Sequence, residues 1–266
     1  MNWRTRLGPL YGLAVSLQFF TRIPMPRDLD PTADDFARSS QWIPVVGLII
    51  GALLAAAAML LAQTPLVPGA RVFLLLALGA LLTGGFHEDG LADTFDGLGG
   101  GWSTDQKLEI MRDSRIGTYG ALALVLMIGL RAGALWGSDP GAWPTMLILS
   151  HVLGRWSTLP LLRALPYVRS SDAGAGKPLV ESTQSWQVLA GTAFAMFVCI
   201  FLAPWSGILA IAAVAATTAV CALFLRAQIG GITGDTLGGV NVICEIVVLT
   251  LFALTHPATL SPWVSS

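Results

Sequence analysis

Gly51-Ala52-Leu53-Leu54-Ala55-Ala56-Ala57-Ala58 lies inside an apolar stretch, 41–62, that holds no Asp, Glu, Lys or Arg. An α-helix rises about 1.5 Å per residue, so a stretch of this length covers the roughly 30 Å hydrocarbon core of a bilayer. Its small residues leave room for a second helix to approach closely. Stretches of similar character recur at 70–86, 118–136, 143–162, 186–204, 206–226 and 238–255, with polar breaks between them. Composition agrees: 54% of residues are hydrophobic, 12% are charged and the mean hydropathy is +0.69. That charged share is about half the level usual in soluble domains. The expected fold is all-α: a polytopic transmembrane helical bundle of about seven spans, forming one integral membrane domain over 1–266.

The N-terminus reads differently. Arg4 and Arg6 precede an apolar stretch, 7–20, in the manner of a signal peptide, but Thr21-Arg22-Ile23-Pro24 follows in place of a small-residue cleavage site. The stretch is also short for a span. It is expected to remain as an interfacial or re-entrant helix. Trp42, Trp136, Trp143, Trp186 and Trp205 fall near expected span ends, where interfacial aromatics belong.

Charge sets the orientation. With 1–40 inside, the cytoplasmic loops hold Arg4, Arg6, Arg22, Arg27, Arg38, Lys107, Arg112, Arg115, Arg163, Arg169, Lys177 and Arg226; the opposite loops hold only Arg71. Basic loops resist translocation, so this asymmetry places the N-terminus in the cytoplasm. The net charge of −1, without a dense basic run, argues against a nucleic-acid partner. Cys199, Cys221 and Cys244 sit in apolar stretches at no ligand-like spacing and read as packing residues.

Chemistry concentrates in Gly84-Gly85-Phe86-His87-Glu88-Asp89-Gly90-Leu91-Ala92-Asp93-Thr94-Phe95-Asp96-Gly97. On a helix, Asp89, Asp93 and Asp96 at i, i+4 and i+7 share one face. Three stacked carboxylates repel one another, and a hard cation such as Mg²⁺ relieves that repulsion. A merely solvated acidic turn accounts for the polarity but not for the spacing. Since the segment follows an expected span, the cation is expected at the membrane–cytosol boundary. Lys107, Arg112 and Arg115 follow as phosphate-binding candidates, although positive-inside topology also explains them. His87 is a candidate proton carrier or an interfacial cap; Glu88 is an additional candidate.

A second constellation, Gly230-Gly231-Ile232-Thr233-Gly234-Asp235-Thr236-Leu237-Gly238-Gly239-Val240-Asn241, opens the last stretch and is followed by Glu245. Asp235 reads as functional, with Asn241 as an additional candidate. Glu245, inside an apolar run, admits two readings: a functional intramembrane carboxylate, or an ion-pair partner of Arg131 or Arg155 that holds the bundle together.

From His87 to Gly97, and again over Arg112-Asp113-Ser114-Arg115-Ile116-Gly117-Thr118-Tyr119-Gly120, the chain resembles the cobalamin synthase, or adenosylcobinamide-GDP ribazoletransferase, family. Phe20-Thr21-Arg22-Ile23-Pro24 and Gly231-Ile232-Thr233-Gly234-Asp235 fit the same pattern, so the resemblance runs along nearly the whole chain. It implies a Mg²⁺-dependent enzyme of the bacterial cytoplasmic (inner) membrane, with its active site facing the cytoplasm. The implied reaction joins adenosylcobinamide-GDP to α-ribazole or its 5′-phosphate, releasing GMP. Asp89, Asp93 and Asp96 would then hold the metal, and Asp235 would complete the metal site or orient the attacking hydroxyl. Small residues on helix faces are compatible with a homo-oligomer.

Two alternatives stand beside this reading. A membrane phosphotransferase of CDP-alcohol type also lines acidic residues on a helix, but Asp93 stands where its pattern has arginine. A cation or proton transporter would use Glu245, Arg131 and Arg155 as buried relay groups, yet the chain has no convincing internal repeat.

Overall fold

A computed structural model describes residues 3–168, 177, 179 and 183–258; Arg169, one of the basic loop residues, lies outside them. The described chain is helical: α1 (Trp3–Leu7), α2 (Tyr11–Phe20), α3 (Ala33–Ala37), α4 (Ile43–Ala62), α5 (Pro68–Thr83) and α6 (Phe86–Gly100) come first. They are followed by α7 (Thr104–Ile110), α8 (Thr118–Trp136), α9 (Trp143–Ala164), α10 (Ser185–Leu202), α11 (Pro204–Ile229) and α12 (Gly234–Thr255).

Among the described residues, five helices are long and apolar enough to cross a membrane: α4 with the turn before it (Ser40–Ala62), α8, α10, α11 and α12. The number is six if α5 and α6, bent by 90° at their junction, count as one span. The 143–162 stretch forms α9, which is long enough at 22 residues but carries His151 and Arg155. It is the buried centre of the bundle, packed against α4, α10, α11 and α12. Protein surrounds it where lipid would otherwise have to, so polar side chains are tolerated along it.

The close approach expected of the first stretch is real, and glycines make it. A Cβ on Gly51 of α4 would lie 2.6 Å from the Ile148 Cα of α9, and Gly47 backs onto His151 in the same way. Either substitution would force these two helices apart. The outer faces of α8, α10 and α11 expose Val125, Phe197, Phe201, Val220 and Leu223, as contact with lipid requires.

At the N-terminus, α2 has only ten residues and cannot reach across the hydrocarbon core by itself. It is anchored locally: Tyr11 donates its hydroxyl to the Leu29 carbonyl at 2.7 Å, and Ser16 donates to the Ser39 carbonyl at 3.1 Å. Trp136, Trp186 and Trp205 are exposed near helix ends, as interfacial residues should be. Trp143 departs from that expectation. It is buried, with its indole N–H donated to the Leu135 carbonyl, and it packs in the core.

Candidate functional site

The site begins at a glycine pair. Gly84 ends α5 and Gly85 begins α6, both with φ of +69°. L-residues with a Cβ rarely adopt this left-handed conformation, whereas glycine does so freely. The Gly85 N–H closes back on the Ala80 carbonyl at 2.9 Å, which terminates α5 cleanly. The chain then turns through 90°, so α6 does not extend α5 as expected for a segment continuing the preceding span. The 87–117 connection is correspondingly not a loop; it contains α6 and α7.

Helix α6 lies against α8 and α12. Contact with α12 depends on small residues: a Cβ on Gly90 would come within 2.8 Å of the Asp235 carbonyl oxygen, and Gly238 faces the His87 and Gly90 backbone. This close seating brings the two sequence constellations together.

Two cavities flank the start of α6. The larger, about 580 Å³, is lined by Arg22, Gly84, Gly85, Glu88, Asp89, Asp93 and Ser114, among others. The smaller, about 180 Å³, has His87, Asp89 and Asp235 beside an aromatic and aliphatic wall. Phe19, Phe86 and Asp89 belong to both. Asp89 and Asp93, one helical turn apart, therefore face a shared space, and Asp235 approaches Asp89 from α12.

Asp96 is set apart from that pair. Both its oxygens are used at the start of α8, accepting from the Gly117 N–H at 2.7 Å and the Gly120 N–H at 2.8 Å. The i+7 position keeps Asp96 near the same helical face but carries it about 10 Å along the axis from Asp89. There it meets the α8 N-terminus, whose unpaired N–H groups and positive dipole end attract a carboxylate. An asparagine side chain would keep one of the two acceptors and set its NH2 against the other N–H, so Asp96→Asn should loosen the start of α8 yet lower activity far less than a change at Asp89. Asp96→Ala should expose the 112–117 segment to limited proteolysis, because it leaves N–H groups without partners.

The basic candidates are spread out. Lys107 donates to the Gln228 side chain at 2.6 Å, tying α7 to α11. Arg115 is exposed and pairs with Asp113, and its side-chain hydrogen bonds hold that carboxyl down at about 2. Arg112 is exposed on the same connection. None of the three lines the larger cavity, although Ser114 and Ile116 of their segment do. Arg22 does line it. Its backbone N–H donates to the Leu82 carbonyl at 2.7 Å, and its side chain crosses the space that a Cβ on Gly84 would fill.

Behind α6 lies a buried ion network. Glu245 accepts from both Arg131 and Arg155, and the Nδ1 of His151 is 3.1 Å from its carboxylate. Arg131 also donates to Glu88 at 2.7 Å. Arg155 contacts the His87 Nδ1 at 3.4 Å. A guanidinium can only donate, so His87 accepts at Nδ1 and carries its ring proton on Nε2. The two arginines and two glutamates balance in charge and tie together α6, α8, α9 and α12. Glu245 makes the ion pair anticipated for it, with both arginines as partners. Asn241 is fully buried in the same core, and neither of its side-chain heteroatoms has a hydrogen-bond partner among the described residues.

Among the described residues, no three His, Cys, Asp or Glu side chains gather closely enough to hold a metal ion by themselves. Magnesium is commonly held by one or two carboxylates completed by substrate phosphates and water. Asp89 and Asp93, open to the larger cavity, form a donor set of that kind.

The same two constellations lie within a match to the family model described as cobalamin-5-phosphate synthase, which spans residues 12–253. The chain belongs to the cobalamin-5-phosphate synthase family. Relatives agree: proteins named adenosylcobinamide-GDP ribazoletransferase, from Shewanella sp. (strain W3-18-1) and Shewanella baltica (strain OS155), are each 40% identical over 238 residues. Each alignment covers 88% of this chain and 90% of the relative. No solved structure matches the chain. The matched range contains both α6 and the start of α12, which the fold places side by side.

Proposed function

We propose that this chain transfers the adenosylcobinamide phosphoryl group from adenosylcobinamide-GDP to α-ribazole or its 5′-phosphate, releasing GMP in a late step of cobalamin assembly. One observation carries the reading within the family: Asp89 and Asp93 share a cavity with Arg22, and Asp235 stands across Asp89 from them. A diphosphate needs its charge neutralised and an attacking hydroxyl needs a proton acceptor; this site supplies both.

Arg22 binds the donor diphosphate, aided by the positive end of α6 that opens onto the same cavity. Asp89 and Asp93 would hold Mg²⁺, which would supply neutralisation of diphosphate charge and stabilisation of the leaving GMP. Asp235 orients the acceptor's ribose hydroxyl and takes its proton. The hydroxyl oxygen bonds to the cobinamide-side phosphorus, and the bridging oxygen departs with GMP. His87, with its proton on Nε2, donates a hydrogen bond into the smaller cavity. Arg112 and Arg115, on the exposed rim, draw the anionic donor inward. The concentration of basic residues in the loops on this side supports a site that faces the cytoplasm from a bacterial inner membrane.

Arg22→Gln should lower kcat/KM for the donor about 10- to 100-fold, the usual worth of a charged hydrogen bond. Most of the loss should fall on donor KM in a steady-state assay. The reaction itself is tested in proteoliposomes by following GMP and cobamide together. GMP release should require the acceptor and match cobamide formation one for one. Release at the same rate without acceptor would mark a diphosphate hydrolase and overturn the reading.

A further inference from the structure

The smaller cavity has the chemistry of a nucleoside site. Phe19, Phe20, Phe86, Leu162 and Tyr167 supply an aromatic and aliphatic wall, while His87, Asp89 and Asp235 sit where it meets the catalytic carboxylates. The wall is held in place. Phe20 stacks on the His87 ring, with centroids 6.0 Å apart and planes within 6°. Phe19 and Phe86 meet edge to face at 5.3 Å. Tyr167 is fixed where the chain leaving α9 pairs with the turn before α12: Ile232 N–H donates to the Pro166 carbonyl at 2.9 Å, and Val168 N–H to the Ile232 carbonyl at 3.0 Å.

Size and charge narrow the occupant. A cavity of about 150 Å³ admits benzene, so one of about 180 Å³ suits a small fused aromatic base and is far too small for a corrin ring. No arginine or lysine is among the described residues lining it, so they bring no cationic side chain to pair with a phosphate. Arg22 lies in the other cavity. The two spaces meet at Asp89, Phe86 and Phe19, so a ligand seated in the smaller one presents its polar end toward the diphosphate.

We infer that this cavity is the acceptor subsite. It holds the uncharged aromatic base of a nucleoside, while the ribose points out past Asp235 to Asp89. The inference rests on the transferase reading above and assigns one of its two substrates to a place. The acceptor's 5′-phosphate, when present, would stay outside the cavity, so both acceptor forms would insert the base in the same way.

The test uses the full chain in proteoliposomes with two substitutions at Leu162. Leu162→Trp fills the cavity and should raise KM for α-ribazole at least tenfold, with donor KM within twofold of wild type. Leu162→Ala enlarges the cavity and should shift the kcat/KM ratio at least tenfold toward an acceptor bearing a naphthimidazole base over one bearing a benzimidazole. That change in preference cannot arise from misfolding, which lowers both rates together. Wild-type turnover combined with unchanged acceptor preference in Leu162→Ala, or with a Leu162→Trp effect on donor KM alone, would overturn the subsite assignment. Absence of product from folded wild-type protein would instead refute the transferase reading.

Discussion

Asp89→Asn should reduce turnover by about 1,000-fold or more while leaving the protein folded. The substitution is nearly isosteric and the site is exposed, so packing is preserved. What disappears is a negative charge at a residue that both cavities share. A metal ion at a transferring phosphoryl group contributes several kcal/mol to the barrier, and about 4 kcal/mol corresponds to that factor. Rates of cobamide formation at saturating substrates decide it. Activity within tenfold of wild type would remove Asp89 from the reaction centre.

Glu245→Ala should act on the fold. Glu245 is 3% exposed and accepts from two buried arginines. Without it, two guanidinium groups share the core with Glu88 alone. Removing one member of a buried ion pair typically costs about 3–5 kcal/mol, because the remaining charge is left uncompensated. The expected result is a sharp fall in monodisperse yield and in thermal unfolding temperature in detergent. Combining Glu245→Gln with Arg155→Met restores charge balance around the Glu88–Arg131 pair and should recover most of the loss. If the single variant were as stable as wild type, the network would not be what ties α6 to the bundle.

The acidic pair was legible because helical spacing acts over one turn: Asp89 and Asp93 meet the same space for the reason their i, i+4 separation suggests. Asp96 obeys the same periodicity, but two turns of rise deliver it to another partner, the α8 N-terminus. Periodicity gives an angle around a helix and is silent on what stands at each height. Arg22 entered as a topogenic charge and as part of the Phe20–Pro24 resemblance without a role at the site, since its place beside Asp89 arises from a contact with Leu82 some sixty positions later in the chain. Gly84-Gly85 open the acidic run in the sequence, and in the fold they make the 90° turn that separates α6 from α5. The apolar character of 143–162 reads as one more span, because composition does not tell whether lipid or protein surrounds a helix. His151 and Arg155 were the clue that it lies inside.

The reaction centre is tested most directly by donor-dependent binding of Mn²⁺, as a spectroscopic stand-in for Mg²⁺, measured by electron paramagnetic resonance on the detergent-solubilised chain. If Asp89 and Asp93 hold the ion against the donor diphosphate, binding should tighten at least tenfold when adenosylcobinamide-GDP is added. Asp89→Asn and Asp93→Asn should abolish that tightening, while Asp96→Asn should keep it. Tightening that survives both α6 substitutions, or that is lost only in Asp96→Asn, would contradict the assignment of the reaction centre to the Asp89–Asp93 face.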